Sequence, residues 1–154
     1  MAIYVISDTH FNHTNIIAYC NRPFSSVEEM NEALVYNWNK TVKDTDIVYC
    51  LGDFALCNKQ DIEKFVSRLN GYKILVMGNH DHATASTYQK AGFDEVYKEE
   101  TDIEFLGQHI KFSHHRKDGG EDIEFINIYG HVHDKPDDDA KHKCACVELW
   151  NYIP

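Results

Sequence analysis

Five short clusters hold the residues whose types and spacing could do chemistry: Asp8 with His10, Asp53, Asn79 with His80 and Asp81, His114 with His115, and His131 with His133. Carboxylates, imidazoles and an amide carbonyl form the donor set of hard and borderline divalent cations. The composition agrees with the clusters, since 154 residues include 25 Asp and Glu and 10 His, against only 15 Lys and Arg. The formal charge of −10 opposes a protein that grips nucleic acid by neutralising many phosphates, so extended nucleic acid is not an expected partner. Each cluster also has a plain alternative. Asp8-x-His10 could be a turn capping the next helix, and Asp53 after Gly52 an Asx turn. Asn79-His80-Asp81 could be a tight turn, because Asn tolerates left-handed geometry, and His131-x-His133 two exposed residues on one strand face.

The elements that carry these residues decide between the readings. Ala2–Ser7, Asp46–Leu51 and Tyr72–Met77 are short apolar runs of the kind that forms buried strands. Between them, Ser26-Val27-Glu28-Glu29 reads as a capping box opening a helix with Val27, Met30, Leu34 and Trp38 on one face. Ile62, Phe65, Val66 and Leu69 mark a second helix, closed by Asn70-Gly71. Strand and helix alternate, which predicts a parallel sheet with right-handed crossovers. After Glu95 the segments 102–106, 108–113, 125–129 and 144–148 are β-like, with turns at Gly107, Gly119-Gly120 and Gly130. These predict a second, more antiparallel sheet packed on the first, followed and interrupted by a solvated charged loop over 134–143. Each polar cluster then falls at a strand end. In an open parallel sheet those ends face one crevice, so residues distant in sequence converge there.

The remaining composition sets the class. With 43% hydrophobic and 26% charged residues the chain reads as one soluble globular domain over 1–154. No apolar run approaches the roughly 18 residues that span a bilayer, and Met1–Ile6 lacks the basic start of a signal peptide. Five cysteines, an odd number irregularly spaced, predict free thiols and a cytoplasmic location. Cys144-x-Cys146, the only tight pair, is read as buried thiols in preference to a zinc site.

The series DTH (8–10), GDF (52–54), GNHD (78–81), SHH (113–115) and GHVH (130–133) resembles the calcineurin-like metallophosphoesterases, in the family's order, and is most similar to its short, cap-less bacterial and phage members. The resemblance implies an α/β fold, a four-layer α/β/β/α sandwich of two mixed β-sheets flanked by helices. It assigns Asp8, His10 and His133 to one metal, Asn79, His114 and His131 to a second, and the Asp53 carboxylate as the bridge. It also implies hydrolysis by a metal-bridging hydroxide, with His80 protonating the leaving oxygen and Asp81 orienting that imidazole. Two departures are visible: GDF-Ala-Leu lacks a further Asp that many relatives carry, and SHHR replaces the usual fourth block. His114 is preferred to His115 because it directly follows the strand end Lys111–Ser113.

Arg116, Arg22 and His13 are candidate substrate contacts. Two divalent ions are the implied cofactors, Mn2+ first, with Fe, Zn, Ni and Co accepted by the same donors. A small phosphoester or nucleotide-like compound is the implied substrate. A diester is favoured, since a crevice without a cap has room on both sides of phosphorus. Alternatives are a phosphomonoesterase, a nucleotide pyrophosphatase, and a non-catalytic metal-binding scaffold of the same fold that serves protein interaction.

Overall fold

The computed structural model describes residues 1–119 and 124–154. Sheet one comprises β1 (Ile3–Ile6), β2 (Ile47–Cys50), β3 (Tyr72–Val76) and β4 (Glu95–Tyr97), paired in that order and parallel throughout. The helices α1 (Thr14–Tyr19), α2 (Val27–Thr41), α3 (Lys59–Val66) and α4 (Ala85–Ala91) form the crossovers. Sheet two comprises β5 (Glu100–Phe105), β6 (Gln108–Ser113), β7 (Phe125–Tyr129) and β8 (His142–Cys144), again in sequence order. It is mixed: β5 and β6 are antiparallel, whereas β6–β7 and β7–β8 are parallel. No helix is long and apolar enough to cross a membrane among the described residues.

Sheet order explains the layers. Successive right-handed crossovers that always advance the same way put every helix on the same face. The side-chain alternation of β2 shows both faces buried: Val48 and Cys50 enter the cluster with Leu34, Trp38, Phe65 and Tyr88 from the helices. Tyr49 and Leu51 point the other way, joining Ile74, Val76 and Phe112 between the sheets. The Tyr49 and Phe112 rings stack at 4.2 Å between centroids. Over the outer face of sheet two the described residues lay a loop and a short 3-10 turn (Val147–Trp150), through Tyr129, Cys144, Val132 and Leu149, so this layer is thinner than a helical one.

Several boundaries differ from expectation. Ser26 caps α2 by accepting from the Glu29 amide at 3.1 Å, but Glu29 reaches back to Ser25 and so does not close a capping box on Ser26. Helix α3 ends at Val66, and Leu69 belongs to the turn before Gly71, whose φ is 88°. The segment expected as a strand over 144–148 instead ends its pairing with β7 at Cys144. Ser7 donates to the Ala145 carbonyl and accepts from the Val147 amide, so the chain leaves sheet two to extend alongside β1. This seam joins the sheets at the crevice. Part of the expected turn at Gly119-Gly120 lies outside the described residues. The loop 134–141 is tied down by its own acids: Asp138 accepts from Tyr129 Oη and the Cys144 amide, and Asp139 from the amides of Lys141 and His142.

Phe112→Ala is expected to destabilise the protein by about 3–5 kcal/mol, as large-to-small changes at buried aromatics do. Because Phe112 lies two residues before His114 on β6, the same variant should bind metal more weakly. Denaturant unfolding and metal titration check the two effects.

Candidate metal centre

The ends of β1, β2 and β3 meet the ends of β6 and β7 in one crevice, and the backbone there is forced. Asp8, His10, Asp53, His131 and His133 all have left-handed φ, between 49° and 73°. Such conformations cost of order 1–3 kcal/mol each outside glycine and persist only where surroundings over-determine them. The strand ends also approach closely. A Cβ on Gly52 (φ 89°) would stand 2.5 Å from the Gly78 nitrogen and 2.7 Å from His114 Nδ1. One on Gly130 would collide with Ser7 Oγ and the Asp8 carboxylate.

Hydrogen bonds at the back of the crevice aim its ligands forward. Asp8 Oδ2 accepts from the His131 amide at 2.8 Å and the Cys146 thiol at 3.3 Å, with Ser7 Oγ at 2.5 Å. Its other oxygen, Oδ1, is buried without a hydrogen-bond partner, as is His10 Nε2. These two atoms lie 3.7 Å apart, and His10 Nε2 is also 3.6 Å from Asp53 Oδ2. Across the crevice, His114 Nδ1 sits 2.7 Å from the Leu51 carbonyl, leaving Nε2 at 2.9 Å from Asn79 Oδ1 and 3.5 Å from Asp53 Oδ2. Donor atoms of Asp8, His10 and His133 lie within 4.8 Å of one another, as do those of Asp8, Asp53 and His114, and of His114, His115 and His131. Orphaned polar atoms are costly in a protein interior, so their convergence fits a dication that would take them as ligands.

Electrostatics follow the same layout. Burial would raise the pKa of Asp8, but the imidazoles of His10, His114 and His133 outweigh it and hold the carboxylate below its ordinary range. Asp53 is likewise lowered against its burial, by His114 and the His80 amide. Burial opposes a charge on His114, yet Asp53 and Asp8 push its pKa up to about 9. Two ionised carboxylates thus share one crevice with imidazoles, and at His114 they favour the protonated ring.

The structure brings together Asp8, His10, Asp53, Asn79, His114, His131 and His133 and sets His80 at the mouth, its side chain 44% exposed and its Nε2 4.0 Å from Asp53 Oδ2. His114 is buried, whereas His115 is exposed at the rim, its ring 4.3 Å from that of His131. Three expected roles are corrected. Asp81 does not orient the His80 ring: its carboxylate accepts from the amides of Asp53, Phe54 and Gly78 and from Tyr88 Oη, clamping two strand ends together. Arg22 is buried and cannot reach a substrate, because its guanidinium is spent on Glu148 and on the carbonyls of Asp8 and Thr9. Arg116 is held by Asp118, Asp137 and Asp139, where it pins the charged loop. His13 turns its Nδ1 to His10 Nδ1 at 3.1 Å, and burial followed by the neighbouring His10 and His80 pushes its pKa down to about 4. His13 supports the His10 ring and, with His10 and His80, lines the cavity beside the crevice.

Glu148 went unrecognised in the sequence. Its Oε1 lies 3.0 Å from His133 Nδ1 and 2.7 Å from Arg22 Nη2, so it fixes the imidazole with Nε2 toward Asp8 Oδ1 at 3.8 Å. A carboxylate behind a ligating histidine sets its tautomer and basicity. The only signal available was an acid enclosed by Val147, Leu149 and Trp150.

A family model for the calcineurin-like phosphoesterases matches residues 1–152. The chain belongs to that family. It is 40% identical over 163 aligned positions to an uncharacterized protein of Methanocaldococcus jannaschii, covering 99% of this chain and 85% of the relative. It is also similar to the crystal structure of a protein of unknown function from Aquifex aeolicus, with a TM-score of 0.79 and 32% identity over 100% of this chain and 95% of the other. As a calcineurin-like phosphoesterase, the chain carries the fold of metal-dependent phosphoric ester hydrolases, with groups of side chains that can hold divalent metal.

Glu148→Gln should weaken metal binding about 10- to 100-fold at the site that includes His133, the usual cost of losing such a partner. Calorimetric titration of both proteins tests this, with unchanged affinity counting against the arrangement.

Proposed function

We propose that this calcineurin-like phosphoesterase is a dinuclear enzyme that hydrolyses small phosphodiesters, with His80 as general acid. Asp8, His10 and His133 would hold one metal, and Asn79, His114 and His131 the other, with Asp53 between them. The observation that carries the reading is the pair of orphaned buried atoms, Asp8 Oδ1 and His10 Nε2, facing Asp53 in a crevice with His80 at its mouth. Two bound dications would lower the pKa of a water toward neutrality and polarise the phosphoryl oxygens. Manganese suits the mixed oxygen and nitrogen donors, as do iron, zinc, nickel and cobalt.

The chain's own groups then divide the work. Asp53 and Asp8 would offset the positive charge of the metals they hold. His114 and His133, each fixed through Nδ1 by a carbonyl or carboxylate acceptor, offer Nε2 in one orientation. His80 is bound to the scaffold through its backbone amide, which donates to Asp53 Oδ1 at 2.8 Å, so its ring is free to give a proton at Nε2 to a leaving oxygen. The acidic chain favours a small substrate over a polymer, and we assign the protein to the cytoplasm on its free thiols.

Bis-p-nitrophenyl phosphate should be turned over faster than p-nitrophenyl phosphate by the manganese-loaded protein, and a chelator should abolish both activities. A clear monoester preference would overturn the diesterase assignment. His80→Ala should retain its metals, by elemental analysis, while kcat falls about 10²- to 10⁴-fold. Asp53→Asn should lose metal itself.

A further inference from the structure

Two cavities flank the metal centre, and they differ in chemistry. One, of about 420 Å³, is lined by Tyr19, Leu56 and Val132 together with His10, His80 and His133. Tyr19 is 74% exposed and Leu56 39%, large apolar side chains left open beside a polar crevice. The Tyr19 ring lies 6.3 Å from that of His13, centroid to centroid, with the two planes nearly perpendicular. The second cavity, of about 350 Å³, is polar and includes Asn79, His115, Lys98, Glu99 and Lys117, the last paired with Glu100 at 3.3 Å. A phosphorus atom at the centre would therefore have an apolar wall on the His80 side and a polar, charged one with Lys98 on the other.

We propose that the apolar cavity receives the leaving group and that this group is a nucleoside, so that the substrate class is a small nucleoside phosphodiester. The inference rests on the phosphodiesterase reading. His80 lines this cavity, and the group that takes its proton must lie on its side of phosphorus. The P–O bond to the nucleoside breaks and one to a water oxygen forms; the nucleoside departs as an alcohol with the His80 proton, which the attacking water replaces. A methyl or glycerol substituent would leave the Tyr19, Leu56 and Val132 wall wet. A fatty chain would make no use of Asp134 and Lys135, which lie in the same cavity and can meet the polar edges of a base or sugar. The volume falls within the range of small-ligand pockets. The other phosphate substituent, polar or anionic, would lie toward Lys98 and Lys117.

Calorimetric titration of the manganese-loaded protein with adenosine 5′-monophosphate and with methyl phosphate isolates the nucleoside's contribution. The nucleotide should bind tighter than methyl phosphate. Tyr19→Ala should weaken the nucleotide about 5- to 100-fold, the range expected for loss of a base-stacking aromatic, and leave methyl phosphate unchanged. Tyr19→Phe should keep the wild-type affinity. Equal binding of the two ligands, or no effect of Tyr19→Ala, would overturn the inference. Hydrolysis of bis-p-nitrophenyl phosphate, followed in parallel, separates the two levels: if it persists while the binding comparison fails, only the nucleoside assignment falls. If no diester is hydrolysed, the phosphodiesterase reading itself falls.

Discussion

The crevice depends on keeping two ionised carboxylates, Asp8 and Asp53, out of water and both within 4 Å of one imidazole nitrogen. Burying a carboxylate costs several kcal/mol unless partners replace its hydration. Here the partners are supplied in layers. Amides of His131 and His80 take one oxygen of each carboxylate, and imidazoles surround the rest. The left-handed backbone at five of the ligand positions is the cost of turning each strand end sharply enough for its side chain to face inward. Asp81, though not a partner of His80, is what makes those turns sustainable, since it gathers three amides from two strand ends that would otherwise be unsatisfied in the interior.

Topology makes the convergence possible. Parallel strands end on the same side, and sheet one presents β1, β2 and β3 in sequence order. Sheet two matches it because β6, β7 and β8 are also parallel, so His114 and His131 emerge at the same rim. The seam of Ser7 against Ala145 and Val147 locks the register between sheets, placing Cys146 behind Asp8 and Glu148 behind His133. A slip of one residue along that seam would turn both away from the ligands they support.

Much of this arrangement was legible in the residues. Long helices with a complete apolar period, such as α2, announce themselves, and the buried strands of sheet one are apolar on both faces. Helices α1 and α4, of six and seven residues, complete less than two turns and present no full period, so nothing in their sequence separates them from loop. The residues of the candidate site were legible because each sits at a strand end in a short polar cluster. Their supports were not. Arg22 has the chemistry of a phosphate clamp, and only burial reveals that its donors already belong to Glu148 and two carbonyls. Asp81 adjoins His80 in sequence but points to the backbone of another strand, a relation that spacing cannot encode.

The distribution of arginine bears on how phosphate is held. The chain has three arginines, and each is committed: Arg22 to Glu148, Arg68 to Glu32, and Arg116 to Asp118, Asp137 and Asp139. Guanidinium groups are the usual bidentate clamps for phosphate, so none remains for that task. In a chain of charge −10, the cationic side chains lining the two cavities beside the crevice are lysines, Lys98 and Lys117 beside Asn79 and Lys135 beside His133. On the proposed function, charge compensation at phosphorus would fall on dications held by Asp8, Asp53 and the imidazoles. On that proposal the same deficit would limit substrate length, because each further phosphate of a polymer would find no uncommitted guanidinium to receive it.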